Sequence, residues 1–304
     1  MGCSTSGIKK PRGLFLNQKP AQCSIFESGK MIYSCIQSSS AYDIDYLEIG
    51  DGDIRTLPAY DFYAFNYHPY TMPWLDLDDV AKLPGLKLTF VLEVLPNDPF
   101  ALCPPNKFDA YCPLDPTVVH PAKNVYPFPR PLEEAPDLPA YEEKEVPLIG
   151  SFGFATPGKG FELVVQAVNH EFERAHVRIN IPAGTFADDV CWKLFRRNYA
   201  GYLAELCQKV AKPGVTVEVT HSFMDKTQLI NWCGQNTLNC FLYSRFQPGL
   251  SATTDQAITS GRPLAVSTNE TFRHIHAYLP AYPYRSLKES IRSSQLEVAR
   301  MRAT

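Results

Sequence analysis

The sequence predicts an α/β protein built from two doubly wound parallel-sheet domains that face each other across a cleft. Three observations predict it. In the second half, period-2 apolar runs alternate with helically spaced apolar residues, the signature of strands joined by crossover helices. The first half repeats that pattern more weakly. Between them, half of the 26 prolines fall between Pro96 and Pro147, where lost ladder donors and extended bias exclude regular core throughout. The expected layout is a first domain over 1–130, a linker over 131–145 and a second domain over 146–304.

The first domain opens with a strand from Gly13 to Asn17, a loop through Gln22, Cys23 and Ser24, and a helix near Glu27 to Ile36. Extended segments follow at Ile44–Ile49, Phe62–Tyr67 and Leu86–Val94. In the second domain, Val146, Leu148 and Ile149 open a strand, and Phe161, Val164, Val165, Val168 and Phe172 mark a helix face. Val177, Ile179 and Ile181 alternate as a strand. Trp192, Phe195, Tyr199, Tyr202, Leu206 and Val210 lie on one face of a longer helix. Val215–Val219 is another strand, and Asp225 with Gln228 forms a capping box for the next helix. Leu238–Tyr243 reads as a strand, Thr254–Ser260 as a helix capped by Gly261, and Leu264–Val266 as the last strand.

The chemistry concentrates in two loops. Ile149 to Gly160 runs strand, glycine-rich turn (Gly153, Gly158, Gly160), one lysine (Lys159), helix. Backbone N–H groups, the helix dipole and the lysine charge together suit a phosphate. The stretch Gly153 to Lys159 matches the phosphate loop of nucleoside triphosphatases, but that loop needs Ser or Thr next, for magnesium. Gly160 stands there, and no apolar strand ends in a second metal-binding carboxylate. A purely structural turn is the other reading. The second loop, Ser244 to Ser251, also leads from strand to helix. Gly249, Leu250 and Ser251 offer N–H donors and Arg245 a forked charge, or a solvated rim residue. Two such cradles suit a diphosphate.

These segments resemble the donor domain of group 1 glycosyltransferases. The Gly-Lys-Gly turn and its helix match over 149–167, and Pro248-Gly249-Leu250 through Gln256 to Val266 is similar to the family's signature loop and helix. The resemblance implies a GT-B fold, two Rossmann-like domains with a nucleotide sugar held mainly by the second. It implies retaining transfer from a nucleoside diphosphate to an acceptor hydroxyl in glycan assembly. The family's paired glutamates are replaced by Pro248 and Gln256, with Asp255 one position away. Either Gln256 or Asp255 is the candidate for the donor ribose. Where the family tends to carry an arginine after the strand, Ser151 stands, and Arg245 is a substitute.

Lys159, Arg245 and His68 are the candidate catalytic residues. No metal or other cofactor is expected, because Lys159 and the two cradles would stabilise the leaving diphosphate electrostatically. His68, in Asn66-Tyr67-His68-Pro69, sits at a strand's C-terminal end, where it either contacts the sugar or relays a proton, or else bonds to local backbone. Gln22, Ser24 and Glu27 are acceptor-side candidates, with Ser24-x-x-Glu27 also readable as a capping box. Arg273, His274 and His276 are further donor-side candidates of lower rank. Asp51-Gly52-Asp53 mimics a metal-binding Asp-x-Asp but reads as an acidic turn.

Composition sets outer limits. With 304 residues, 45% hydrophobic, 20% charged and a formal net charge of -3, the chain suits a globular protein and not a general nucleic-acid binder. No apolar run is long enough to span a membrane. The nine cysteines lack any Cys-x-x-Cys pair, so zinc and disulfides are not expected and a reducing cytoplasm is. Met1-Gly2-Cys3 formally matches a lipidation signal and is read as chance, leaving peripheral membrane contact open. A non-catalytic nucleotide-sugar or glycan-binding protein and a nucleotide-sugar epimerase on the same scaffold are the alternative functions.

Overall fold

The computed structural model describes residues 9–19, 23–51, 54–95, 97–182, 198–246 and 249–303. The expectations on Met1–Cys3, Gln22, Gly52, Asp53, Trp192, Phe195 and Pro248 lie outside the described residues. The chain divides into two compact units, Met1–Pro131 and Leu132–Thr304.

The first unit holds a parallel sheet in the order β2-β1-β3-β4-β5. Its strands are β1 (Arg12–Gln18), β2 (Asp43–Ile49), β3 (Phe62–Phe65), β4 (Leu86–Val91) and β5 (Ala110–Pro113). β1 is an interior strand, buried on both faces. Leu14 and Leu16 join Tyr63, Phe65 and Tyr111 in one cluster, while Phe15 packs with Ala64, Leu92 and Leu114 in another. The helix α1 (Ser24–Ile36) buries Phe26, Met31 and Ile32, and α2 (Leu77–Lys82) is capped by Asp76 accepting from the Asp78 N–H.

The second unit has the order β10-β9-β6-β7-β8, with every pairing parallel. Its elements are β6 (Leu148–Phe152), α3 (Phe161–Glu171), β7 (Ala175–Asn180), α4 (Tyr199–Val210), β8 (Val215–Thr220), α5 (Lys226–Gly234), β9 (Leu238–Phe241), α6 (Thr253–Thr259), β10 (Leu264–Val266), α7 (Arg273–His276) and α8 (Leu287–Ala303). The Asp225–Gln228 capping box forms at the start of α5, and Gly261 takes a positive φ just after α6. Helix α3 packs Val164, Val165 and Val168 with Ile149, Val177 and Ile179 of the sheet.

Both sheets are doubly wound. Strand order reverses between β1 and β3 in the first unit and between β6 and β9 in the second. Ligands of such sheets gather beyond the strand C-termini at these switch points. Residues 132–144 form no regular element and lie along the second unit. Leu132 packs on its core, Glu133 pairs with Lys226 at 2.8 Å, and the Tyr141 hydroxyl bonds Thr237 Oγ1 at 3.0 Å.

Candidate functional site

The two glycine-bearing loops, more than eighty residues apart in sequence, meet at the switch point of the second unit. Gly158, Lys159 and Gly160 lie against Leu242, Tyr243, Ser244 and Arg245, where the chain leaves β9. The Ser244 N–H donates to the Gly158 carbonyl at 2.9 Å. Gly158 has φ 79°, and a Cβ there would stand 2.7 Å from Arg245 Cα. Gly160, at φ 62°, would place a Cβ 2.0 Å from the Leu242 carbonyl oxygen. A side chain at either position would push the loops apart, which accounts for glycine on each side of the lysine.

Between them, Lys159 Nζ donates to the Tyr243 hydroxyl at 3.1 Å and lies 4.4 Å from the centre of that ring. Tyr243 Oη in turn contacts Thr253 Oγ1 at 3.1 Å, and Thr253 Oγ1 contacts Ser251 Oγ at 2.8 Å. Burial pushes the Tyr243 hydroxyl up, but the Lys159 charge and the bonds from Ser251, Thr253 and Lys159 outweigh it, so its pKa lies below the usual tyrosine value. No carboxylate among the described residues pairs with Lys159. Two of its three ammonium protons therefore remain for a ligand. Lys159 also precedes the N-terminus of α3, whose cap residue Gly160 supplies no side-chain acceptor. The first-turn N–H groups of a helix have no intrahelical partner and favour an anion.

The remaining donor-side candidates are placed as follows. Gly153 closes β6, its N–H bonded to the Asn180 carbonyl at 3.1 Å. The Gly249 carbonyl accepts from Thr271 Oγ1 at 2.8 Å, and Leu250 is buried. The Ser251 N–H, expected to face an anion, instead donates to the Thr271 carbonyl at 3.1 Å; Ser251 contributes its hydroxyl. Asp255 and Gln256 are both buried on α6. Arg245 is half-buried, and its carbonyl accepts from Asn269 Nδ2 at 2.9 Å. Ser151 lies inside β6, opposite Ile179 and fully buried, so that position does not suit a charge. Arg273 and His276 bond the Glu270 and Ser267 carbonyls, and His274 Nε2 contacts Thr254 Oγ1 at 3.2 Å.

In the first unit, polar groups collect beyond β1 and β3. Asn17 and Asn66 are buried and joined by a 2.9 Å bond. Their amides also reach the Phe26 and Ile25 carbonyls. His68 is buried, with Nδ1 accepting from the Tyr70 N–H at 3.2 Å and Nε2 3.5 Å from Glu93 Oε2. A neutral ring bound in this way carries its proton on Nε2, toward Glu93. The local-backbone reading thus holds for Nδ1 alone.

The capping box expected at Ser24 is not formed. Cys23 is the N-cap, its Sγ accepting from the Phe26 N–H at 3.5 Å, and Ser24 is the exposed first residue of α1. Gln18 Nε2 reaches the same sulfur at 3.0 Å, which fixes the loop one residue earlier than serine's capping preference suggests. Glu27 is half-buried in the first turn of α1. Tyr243, Thr253, Asn17 and Glu93 escaped the sequence reading. Tyr243 reads as a strand end, and no periodicity marks its hydroxyl.

The buried thiols among the described residues offer no nucleophile. Burial pushes Cys112 up to about 11 and Cys103 and Cys207 up to about 12, far from the reactive thiolate range. No cluster of three His, Cys, Asp or Glu groups suited to a metal occurs among the described residues. Nor is any helix among them long and apolar enough to cross a membrane.

The two doubly wound parallel sheets have a GT-B-like fold, shown by their likeness to solved structures. Solved structures of this fold align with nearly the whole chain. Anabaena HepE, in complex with UDP and glucose, aligns at TM-score 0.60 and 11% identity over 96% of this chain and 94% of its own. OtsA, in its apo structure, aligns at TM-score 0.61 and 10% identity over 97% and 95%. AviGT4, a glycosyltransferase involved in avilamycin A biosynthesis, aligns at 0.57 and 12% over 96% and 92%. At these identities the likeness is one of fold. No protein-family model and no curated protein matches the sequence.

Proposed function

We propose that the protein is a glycosyltransferase that moves a sugar from a nucleoside-diphosphate sugar to an acceptor hydroxyl in glycan biosynthesis. The observation that carries this reading is Lys159, held by Tyr243 between two glycine turns at the switch point, with no carboxylate partner among the described residues. The leaving diphosphate lies against the Gly158–Gly160 turn and the start of α3. Lys159 and the N–H groups there stabilise its developing charge without a metal. Gly153, Gly249, Leu250 and the Ser251 hydroxyl line the same site, Arg245 supplies a second charge, and Asp255 or Gln256 meets the ribose. HepE is solved with UDP, and a UDP-linked donor is the first to test. Retention follows from the resemblance to group 1 enzymes.

The acceptor belongs to the first unit, roughly residues 1–130, beyond β1 and β3. His68, oriented by the Tyr70 N–H and Glu93, donates a hydrogen bond or relays a proton there, and Gln22, Ser24 and Glu27 border the acceptor. Free thiols at Cys23, Cys35, Cys103, Cys112, Cys207, Cys233 and Cys240 suit a reducing cytoplasm. A second reading, a non-catalytic nucleotide-sugar binder, is favoured by Pro248 and Gln256 standing where the family has glutamates.

One experiment separates the two. Release of nucleoside diphosphate is followed across a panel of UDP-sugars with saccharide and sugar-phosphate acceptors. The proposal expects acceptor-dependent release, and His68→Ala is expected to lower kcat about a hundredfold with the nucleotide Kd unchanged. Binding without release across the panel supports the binder.

A further inference from the structure

The second unit carries a cavity of about 590 Å³ at the end of the sheet opposite the glycine junction. Pro147 and Thr237 line it and immediately precede β6 and β9. Since β6 spans five residues, the cavity and the junction are about 16 Å apart, at roughly 3.3 Å of rise per residue. The volume suits a small molecule.

Its charge is one-sided. Lys144, Arg262, Lys288 and Arg292 line it, against one carboxylate, Glu143. None of the four cations forms an ion pair with a described residue. The nearby Glu171 carboxylate is committed to α8, accepting from the Leu287 and Lys288 N–H groups at 2.8 and 3.0 Å. Two cations are held in place before any ligand arrives. The Arg262 guanidinium lies 3.3 Å from the centre of the Tyr141 ring, its Nε donates to the Asn236 carbonyl at 3.0 Å, and Tyr141 is a further side-chain hydrogen-bond partner. Lys288 Nζ stands 5.5 Å from the centre of the Phe172 ring. Lys288 and Arg292 are four residues apart on α8, where like charges repel unless an anion intervenes.

We propose that this cavity is a second anion site, for a small, multiply charged phosphate compound, separate from the donor site. Four cations from three segments exceed the two carboxylates within their reach, Glu143 in the lining and Glu289, which also meets the Arg292 charge, and a forked guanidinium with two ammonium groups matches several phosphate oxygens at once. The site stands whether or not the glycine junction binds a nucleotide.

The test is a calorimetric titration of tripolyphosphate at low salt into the Lys159→Ala protein, which removes the junction's lysine. Saturable binding with 1:1 stoichiometry is expected. Adding Lys288→Gln and Arg292→Gln, both at exposed positions, is expected to weaken it about tenfold or more with an unchanged melting temperature. Arg300→Gln, eight residues beyond Arg292 and so about 12 Å further along α8, removes one exposed charge and is expected to change affinity by less than about twofold. Equal affinity with and without Lys288 and Arg292, or equal loss in the α8 control, overturns the proposal. Pelleting with phosphoinositide but not phosphatidylcholine vesicles assigns the phosphate to a lipid headgroup, and its absence assigns it to a free anion.

Discussion

Lys159→Ala is expected to weaken UDP binding by about 1–3 kcal/mol, the range for losing a charge-assisted hydrogen bond. That corresponds to roughly 5- to 150-fold in Kd. The side chain is anchored to Tyr243 Oη at 3.1 Å, so its ammonium is already in place when the diphosphate arrives and little rotamer freedom is lost on binding. Tyr243→Phe serves as the graded companion. The ring under Nζ stays, the hydroxyl bond is lost, and Thr253 loses a partner. A weakening of about 0.5–1.5 kcal/mol is expected, as for a neutral hydrogen bond. Calorimetry on folded variants reads both values. Wild-type affinity in Lys159→Ala would separate the lysine from the diphosphate.

Gly160→Ala is expected to act on the fold itself. The residue has φ 62°, and its new methyl would stand 2.0 Å from the Leu242 carbonyl oxygen, a backbone atom that cannot rotate away. The left-handed conformation alone costs about 1–2 kcal/mol for an L-residue. Relieving the clash separates α3 from the exit of β9, and the sum is expected to reach about 3 kcal/mol. For a unit of this size that lowers the melting temperature by roughly 6–12 °C. Gly234→Ala is the control. Its nearest neighbour would be Leu138 Cδ2 at 3.4 Å, an ordinary contact, and the change is expected to stay within about 1 kcal/mol. A Gly160→Ala protein that melts with the wild type would show that the two loops do not pack as described.

How much of this was legible in the sequence depended on whether the signal was local. The β6-turn-α3 unit announced itself through an apolar run, three glycines and a helical stripe, all within about twenty-five residues. The capping box at Asp225 and Gln228 is equally local, and it formed. The strand β5 was missed because its four residues, Ala110–Pro113, sit in proline-rich sequence. It pairs only with β4 within the sheet; on its other side the Tyr111 N–H donates to the Asn124 carbonyl and the Tyr126 N–H to the Tyr111 carbonyl, a short ladder to which Pro113, lacking an N–H, cannot donate. The box expected at Ser24 failed because Gln18, from the preceding strand, ties down Cys23 instead.

The site itself is mostly non-local. Lys159 and Gly160 were identifiable as phosphate-loop residues, but their packing against Leu242, Tyr243 and Arg245 follows from the sheet order, which places β9 beside β6. Tyr243 carries no motif of its own. The Asn17–Asn66 pair is hidden for the same reason: each residue ends or follows an apolar strand, and the two meet only because β1 and β3 are neighbours.

The central claim is that a nucleoside diphosphate binds at the junction of the two glycine loops. Titrating UDP into protein labelled with ¹⁵N-glycine tests it most directly. The account predicts that the amide resonances of Gly153, Gly158, Gly160 and Gly249 shift together and saturate with one Kd, and that the shifts of Gly13 and Gly214 are smaller. Saturating UDP that leaves those four resonances where they were would contradict it.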